Sequence, residues 1–153
     1  LASKRTLSVS PPYVDHLFGA DYLHEMLGQS DYVILALPSI PDTIKIIGSL
    51  EFQAMKSHAV FINVARGVQV DEVAMAEALN EGEIAGAGLD VTETEPLSKD
   101  SPLWDLENVI ITPHASASVS DYGYQVGKEC AANLRRYIDG EPLHHVVDKL
   151  KGY

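Results

Sequence analysis

Four short apolar runs, separated by stretches of turn or helical character, organise this chain. Residues 31–37 (DYVILAL) stop at Pro38 and predict a buried strand. The next few positions, to Asp42, carry two prolines and predict a loop, and residues 43–55 are partly helical. Residues 59–64 (AVFINV) predict a second strand, 84–91 (IAGAGLDV) a third made largely of small residues, and 109–112 (VIIT) a fourth. Asp71 can cap a helix running through Glu81, with Val73, Ala74, Ala78 and Leu79 on its inner side. Ser120 opens a long helix to about Ile138, stopped by Gly140 and Pro142. Along it Val126, Cys130, Leu134, Tyr137 and Ile138 recur at helical spacing. There is no internal repeat and no low-complexity tract.

The strands alternate with helices or long crossovers and are apolar throughout, not at every second position. That is the pattern of an α/β protein with a parallel sheet covered on both faces. In such sheets ligands sit beyond the carboxyl ends of the strands. The residues with chemical potential fall there: Pro38 after the first run, Arg66 after the second, Asp90 to Glu95 after the third, His114 after the fourth.

Composition narrows the picture. The 153 residues are enough for one ordinary core, and 46% hydrophobic with 22% charged residues is a globular composition. No apolar run reaches membrane-spanning length, so no membrane is expected as a partner. The net charge of -11 argues against nucleic acid as a partner. A single cysteine, Cys130, excludes an internal disulfide and suits a reducing cytoplasm. With the scattered histidines it offers no metal-binding spacing, so no metal is expected.

Arg66, Glu95 and His114 together suit one kind of chemistry, the reduction of a 2-keto acid. An arginine fork matches a carboxylate. A histidine can give up a proton near neutral pH, and a neighbouring carboxylate would raise its pKa and fix its tautomer. Each residue alone also has a structural explanation. Arg66 could serve a helix end, Glu95 has Glu93 as a competitor, His114 follows Pro113 in a turn, and Asp90 could cap one.

The motifs carrying these residues resemble those of the D-isomer-specific 2-hydroxyacid dehydrogenases. Asn63-Val64-Ala65-Arg66-Gly67 followed by Val70-Asp71 resembles their arginine segment. Gly88-Leu89-Asp90-Val91 with Glu95-Pro96-Leu97 resembles their glutamate segment. Asn108 through Thr112, then Pro113-His114, resembles their histidine segment, and Leu37-Pro38 with Thr43 looks like their cofactor loop. The order is the family's, from about Asp31 to Val147.

The resemblance implies a partial Rossmann-like, doubly wound sheet with flanking helices. Residues 1–118 would be an incomplete dinucleotide-binding domain, and 119–153 a helix and tail leading back to a substrate domain outside this sequence. It implies hydride transfer between NAD or NADP and a small D-2-hydroxy or 2-keto acid. Arg66 would hold the substrate, His114 would be the acid in reduction, and Glu95 would pair with His114. Pro38, Thr43, Val64, Arg66, Asp90, His114 and Ser116 would border the cofactor. A formate dehydrogenase has glutamine at the glutamate's place, so Glu95 argues against that relative. A homodimer is consistent with the family, although no residue here speaks for it.

Two departures matter. The glycine-rich turn that cradles a pyrophosphate is not present: Gly86-Ala87-Gly88 lies in a strand and opens no helix. The isolated chain is therefore expected to bind dinucleotide weakly and turn over poorly. At the start, Ser3-Lys4-Arg5 would lie beside an adenosine ribose if Leu1-Ala2 ends a strand. Basic residues there would accept the extra phosphate of NADP; the alternative is a solvated charge cluster at a chain end. Two other functional readings stay open. One is a nucleotide-sensing interaction module, like corepressors that resemble these dehydrogenases. The other is a folded remnant without a complete site.

Overall fold

The computed structural model describes residues 1–4, 9–150 and 152; Arg5 of the Ser3-Lys4-Arg5 cluster lies outside them. The chain divides into two compact units, Leu1–Pro113 and His114–Tyr153, each described by itself below.

The first unit is built on two parallel sheets. β1 (Ala2–Ser3) pairs with β2 (Leu17–Phe18). β3 (Tyr32–Leu35), β4 (Val60–Asn63), β5 (Gly86–Leu89) and β6 (Val109–Ile111) form a second sheet in that order. The four longer strands fall inside the four apolar runs. Each is shorter than its run, and the loops that follow carry the chemistry.

Three helices cover one face of the larger sheet: α1 (Leu23–Gln29), α2 (Ser49–Ala54) and α3 (Glu72–Glu81). Leu27, Phe52, Met75, Ala78 and Leu79 from these helices join Val33, Leu35, Phe61, Ala87 and Leu89 from the strands in one buried cluster. Phe52 and Phe61 are fully buried and meet edge to face, with ring centroids 5.5 Å apart. Burying each ring contributes about 2 kcal/mol. Among the described residues of this unit, the opposite face is left uncovered. Tyr32 is 70% exposed, Ile34 62% and Ile110 72%. Cover on both faces, the expectation from the uniformly apolar runs, therefore holds for one face here, because all three helices pack on the same side.

Helix α3 follows its predicted limits. The Asp71 carboxylate accepts a hydrogen bond from the Ala74 N–H at 3.3 Å, and Gly82 ends the helix with a left-handed φ of 73°. One inward assignment is corrected. Val73 is 68% exposed, since it lies ~200° round the helix from Met75, at the centre of the buried arc. The Ala74 N–H, followed by the Lys45 ammonium, holds the Asp71 carboxyl below its ordinary value of 3.8. A depressed carboxylate stabilises above its unfolded pKa, and that stabilisation is lost as the pH falls through its folded value. Asp71→Ala is therefore expected to cost about 1 kcal/mol at neutral pH. In urea titrations the gap between the two proteins should close once the pH falls below the ordinary carboxylate range. A constant gap would mean that the charged cap is not its source.

Among the described residues, no strand pairing joins the two sheets of this unit. A cleft of about 560 Å³ separates them, walled by Ala2, Ser3 and Lys4 on one side and by Tyr32 to Leu37 on the other. In a doubly wound sheet the strand that carries the phosphate-binding turn occupies this place.

The second unit holds α4 (Tyr122–Ile138). It starts two residues after the expected Ser120, with Asp121 at its cap position and no side-chain capping bond. It ends at Gly140, whose φ is 70°. The tail folds back onto the helix, with Asn133 and the His144 backbone bonded in both directions at 3.1 and 2.8 Å. The apolar side chains of α4 are exposed, Val126, Leu134, Tyr137 and Ile138 among them. Among the described residues, no helix is long and apolar enough to cross a membrane.

Candidate active site at the carboxyl ends of the sheet

Register sets the site. Leu35, Asn63, Leu89 and Ile111 stand side by side across β3 to β6. The ladder runs one residue further: Val64 N–H donates to Leu35 O, Asp90 N–H to Asn63 O, and Thr112 N–H to Leu89 O, at 3.2, 3.0 and 2.9 Å. Val64, Asp90 and Thr112 therefore lie next to one another at the carboxyl edge.

The loop after β3 is held by Thr43. Its hydroxyl lies 2.8 Å from Pro38 O and 3.0 Å from Ile40 O, and it accepts from the Ile40 N–H at 3.0 Å. Pro41 opens a short turn, Pro41–Thr43, and Thr43 is buried while Pro38 is exposed.

The turn after β4 carries Arg66. Asn63, 1% exposed, shapes it from below. Its Oδ1 accepts from the Ala65 N–H at 3.0 Å and its Nδ2 donates to Arg66 O at 3.2 Å. The Arg66 side chain is exposed and gives one Nη1 hydrogen bond to Ala65 O at 2.6 Å. A guanidinium has five N–H donors, so a fork remains for a carboxylate.

Asp90, at the end of β5, is only 6% exposed, and its Oδ1 accepts from the Thr112 hydroxyl at 2.6 Å. The bond ties the ends of β5 and β6. Glu95 is exposed, and its Oε1 accepts from the Thr92 N–H at 3.3 Å. The Glu93 N–H is bonded to Glu72 Oε2 on α3 at 2.8 Å.

The arginine and glutamate segments meet directly. Gly67 packs against the Thr92–Glu93 peptide so closely that an added methyl would sit 2.0 Å from Thr92 C and O. The first unit thus joins the Pro38–Thr43 loop, the Arg66 turn, Asp90 with Thr112, and the Glu95 segment. His114 and Ser116 belong to the second unit. His114 has a left-handed φ of 52°, a conformation histidine adopts more readily than most residues, and Ser116 lies in the turn that follows.

Sequence reasoning did not single out Gln69, which is fully buried in the arginine turn. The available signal was a polar residue within an otherwise buried stretch.

A parallel sheet that gathers an arginine fork, a buried aspartate and a pinned loop at its carboxyl edge defines an α/β protein whose ligand crevice lies at that edge. Residues 3–116 match the model of the D-isomer specific 2-hydroxyacid dehydrogenase, NAD binding domain, and the chain belongs to that family. It is 44% identical over 126 residues to glyoxylate/hydroxypyruvate reductase B of Enterobacter sp. (strain 638), covering 82% of this chain and 39% of that one. Two solved structures resemble it across 99% of its length. A D-isomer specific 2-hydroxyacid dehydrogenase from Xanthobacter autotrophicus Py2, in complex with NADPH and MES, has a TM-score of 0.88 at 38% identity, with 61% of that chain covered. An NADPH-dependent glyoxylate/hydroxypyruvate reductase from Sinorhizobium meliloti, in complex with NADP and sulfate, has a TM-score of 0.86 at 35% identity, with 48% covered. The chain spans about two fifths of the length of the curated relatives it matches.

Proposed function

We propose that this chain is the nucleotide-binding part of a reductase that interconverts small 2-keto acids and D-2-hydroxy acids with NADP. The carrying observation is the carboxyl edge of the larger sheet, which gathers the exposed Arg66 fork, the buried Asp90 with its hydrogen bond from Thr112, and a loop pinned by Thr43. Residues 1–118 belong to the dinucleotide-binding domain in this reading, and 119–153 lead toward a substrate domain. The single exposed cysteine suits a cytoplasmic setting.

The residues fit a dinucleotide. Ser3 and Lys4 stand at the carboxyl end of β1, and Leu37 and Thr43 belong to the loop that follows β3. Thr43, Pro38 and the Val64 backbone would line the cofactor, Ser116 would lie beside it, and Asp90 would receive the nicotinamide carboxamide. The nicotinamide supplies the hydride. Arg66 holds the substrate carboxylate and polarises its carbonyl. His114 delivers a proton to the carbonyl oxygen as it becomes an alkoxide, and takes it back in oxidation. In this reading Glu95 would pair with His114 and fix the tautomer and orientation of its ring. Lys4, with Arg5, favours the 2′-phosphate of NADP.

The test is oxidation of NADPH and NADH by the protein made from its complete reading frame, offered glyoxylate, hydroxypyruvate, pyruvate and 2-ketogluconate. Turnover at least about tenfold better with NADPH is expected, since a charge-assisted phosphate contact contributes about 1.5–3 kcal/mol. A Lys4→Asp/Arg5→Asp variant should narrow or reverse that preference. Dinucleotide binding without turnover of any acid would replace this reading with the sensing-module one.

A further inference from the structure

Gln69 is the most enclosed polar side chain beside the site, at 0% exposure, and each end of its amide is used. Its Oε1 accepts from the Arg66 N–H at 3.1 Å. Its Nε2 lies 3.0 Å from Pro38 O, 3.3 Å from Leu37 O and 3.1 Å from the Thr43 hydroxyl. One side chain thus bridges the turn that presents the arginine and the loop after the neighbouring strand. At the far end of the same two segments the backbone makes the join. Lys45 N–H donates to Val68 O, Ile47 N–H to Gln69 O and Asp71 N–H to Ile47 O.

An isolated buried amide is unfavourable in a core unless each polar atom is satisfied. A leucine would fill the same volume but would leave the Arg66 N–H and the Pro38 carbonyl without this partner. Backbone pairing already holds the two segments together near Ile47, so the amide adds orientation at the end nearest the carboxyl edge.

We infer that Gln69 is a positioning residue that locks the arginine turn to the cofactor loop, its acceptor end setting Arg66 and its donor end setting residues 37–43. This deepens the reductase reading and rests on it for the identity of the two ligands, but not for the hydrogen bonds. The two ends can be separated chemically. Gln69→Glu keeps an acceptor for the Arg66 N–H but loses the donor while ionised. Gln69→Leu loses both. Burial raises a carboxyl pKa, so the donor returns to the glutamate variant as the pH falls.

The experiment is ¹⁵N NMR of the protein made from its complete reading frame, titrated with NADPH and, separately, with oxamate as a carboxylate probe. In Gln69→Leu the Arg66 amide proton should move upfield, and both affinities should fall about tenfold. In Gln69→Glu at about pH 9 the Arg66 amide and oxamate affinity should be preserved while NADPH affinity falls, recovering toward about pH 6. A merely structural role would lower both affinities together in the glutamate variant, without that split. Equal losses for both ligands, or unchanged Arg66 and Thr43 amides in both variants, would overturn the inference. If the leucine variant does not fold, the split in the glutamate variant decides alone. A wild-type protein from the complete reading frame that binds neither probe, with the Arg66 amide still moving in the leucine variant, would overturn the reductase reading and Gln69's role in it while leaving the bridge intact.

Discussion

Gly67→Ala is expected to destabilise the chain by about 4 kcal/mol, a large share of the 5–15 kcal/mol that holds a typical domain together. The added methyl would meet Thr92 C and O at 2.0 Å and Glu93 N at 2.3 Å. All three are main-chain atoms, so no rotamer change can make room. Neither segment can easily retreat. The arginine turn is closed by the Val70 N–H to Gly67 O bond at 2.9 Å and braced by Asn63 from below. The facing segment is fixed by the Thr92 hydroxyl on Thr94 O and by the Glu93 N–H on Glu72. Ordinary overpacking costs about 1–3 kcal/mol; here two restrained backbones must part. Gly123→Ala is the matched control, because nothing lies within 4 Å of a methyl there and the site is helical. It should stabilise α4 by up to ~1 kcal/mol. Urea denaturation of both variants gives the comparison. A Gly67→Ala protein within about 1 kcal/mol of wild type would mean that the two segments separate more freely than this packing implies.

The same contact shows what the sequence could and could not convey. The four longer strands were legible because a buried parallel strand is a continuous apolar run, and residues 31–37, 59–64, 84–91 and 109–112 each contain one. The limits of α3 were legible because an aspartate and a glycine mark its two ends. β1, β2 and α1 were not, since pairs of strand residues and a seven-residue helix are too short for periodicity to emerge. Val73 was misplaced because an apolar residue was assigned inward on its chemistry, without its angle about the helix. Within the first unit the described helices shield one face of the larger sheet. Apolar runs record that a face avoids water, not which element shields it.

The motifs singled out Arg66, Asp90 and Glu95, which lie one to six residues beyond the ends of β4 and β5. Their mutual support was invisible. That Thr112 holds Asp90 follows from the register of β5 and β6, and that Gly67 abuts Thr92 follows from how two loops pack. Gln69 stayed hidden because its significance lies in a contact with Pro38, thirty-one residues away. Long-range polar contacts of this kind leave no local pattern.

In the protein made from its complete reading frame, His114→Gln is expected to lower kcat for keto-acid reduction about 10³-fold, within the range of general acid catalysis. Glutamine keeps similar bulk and a hydrogen-bond donor, so it can still touch a carbonyl oxygen, but it cannot release a proton near neutral pH. If the role proposed for His114 is proton delivery, the loss should fall on kcat, with the dissociation constant for NADPH unchanged and KM for the keto acid moving little. The backbone needs its own control. His114 has a φ of 52°, and glutamine tolerates that left-handed region less well than asparagine does. His114→Asn should therefore relieve backbone strain yet lose the same 10³ in kcat, because the amide is equally unable to deliver a proton. Recovery of activity in the asparagine variant would assign the defect to conformation. An equal loss in both, with dinucleotide affinity intact, assigns it to the proton. Retention of more than about a tenth of the wild-type kcat in both variants would remove His114 from the acid's role, because even a weak general acid contributes about 10²-fold.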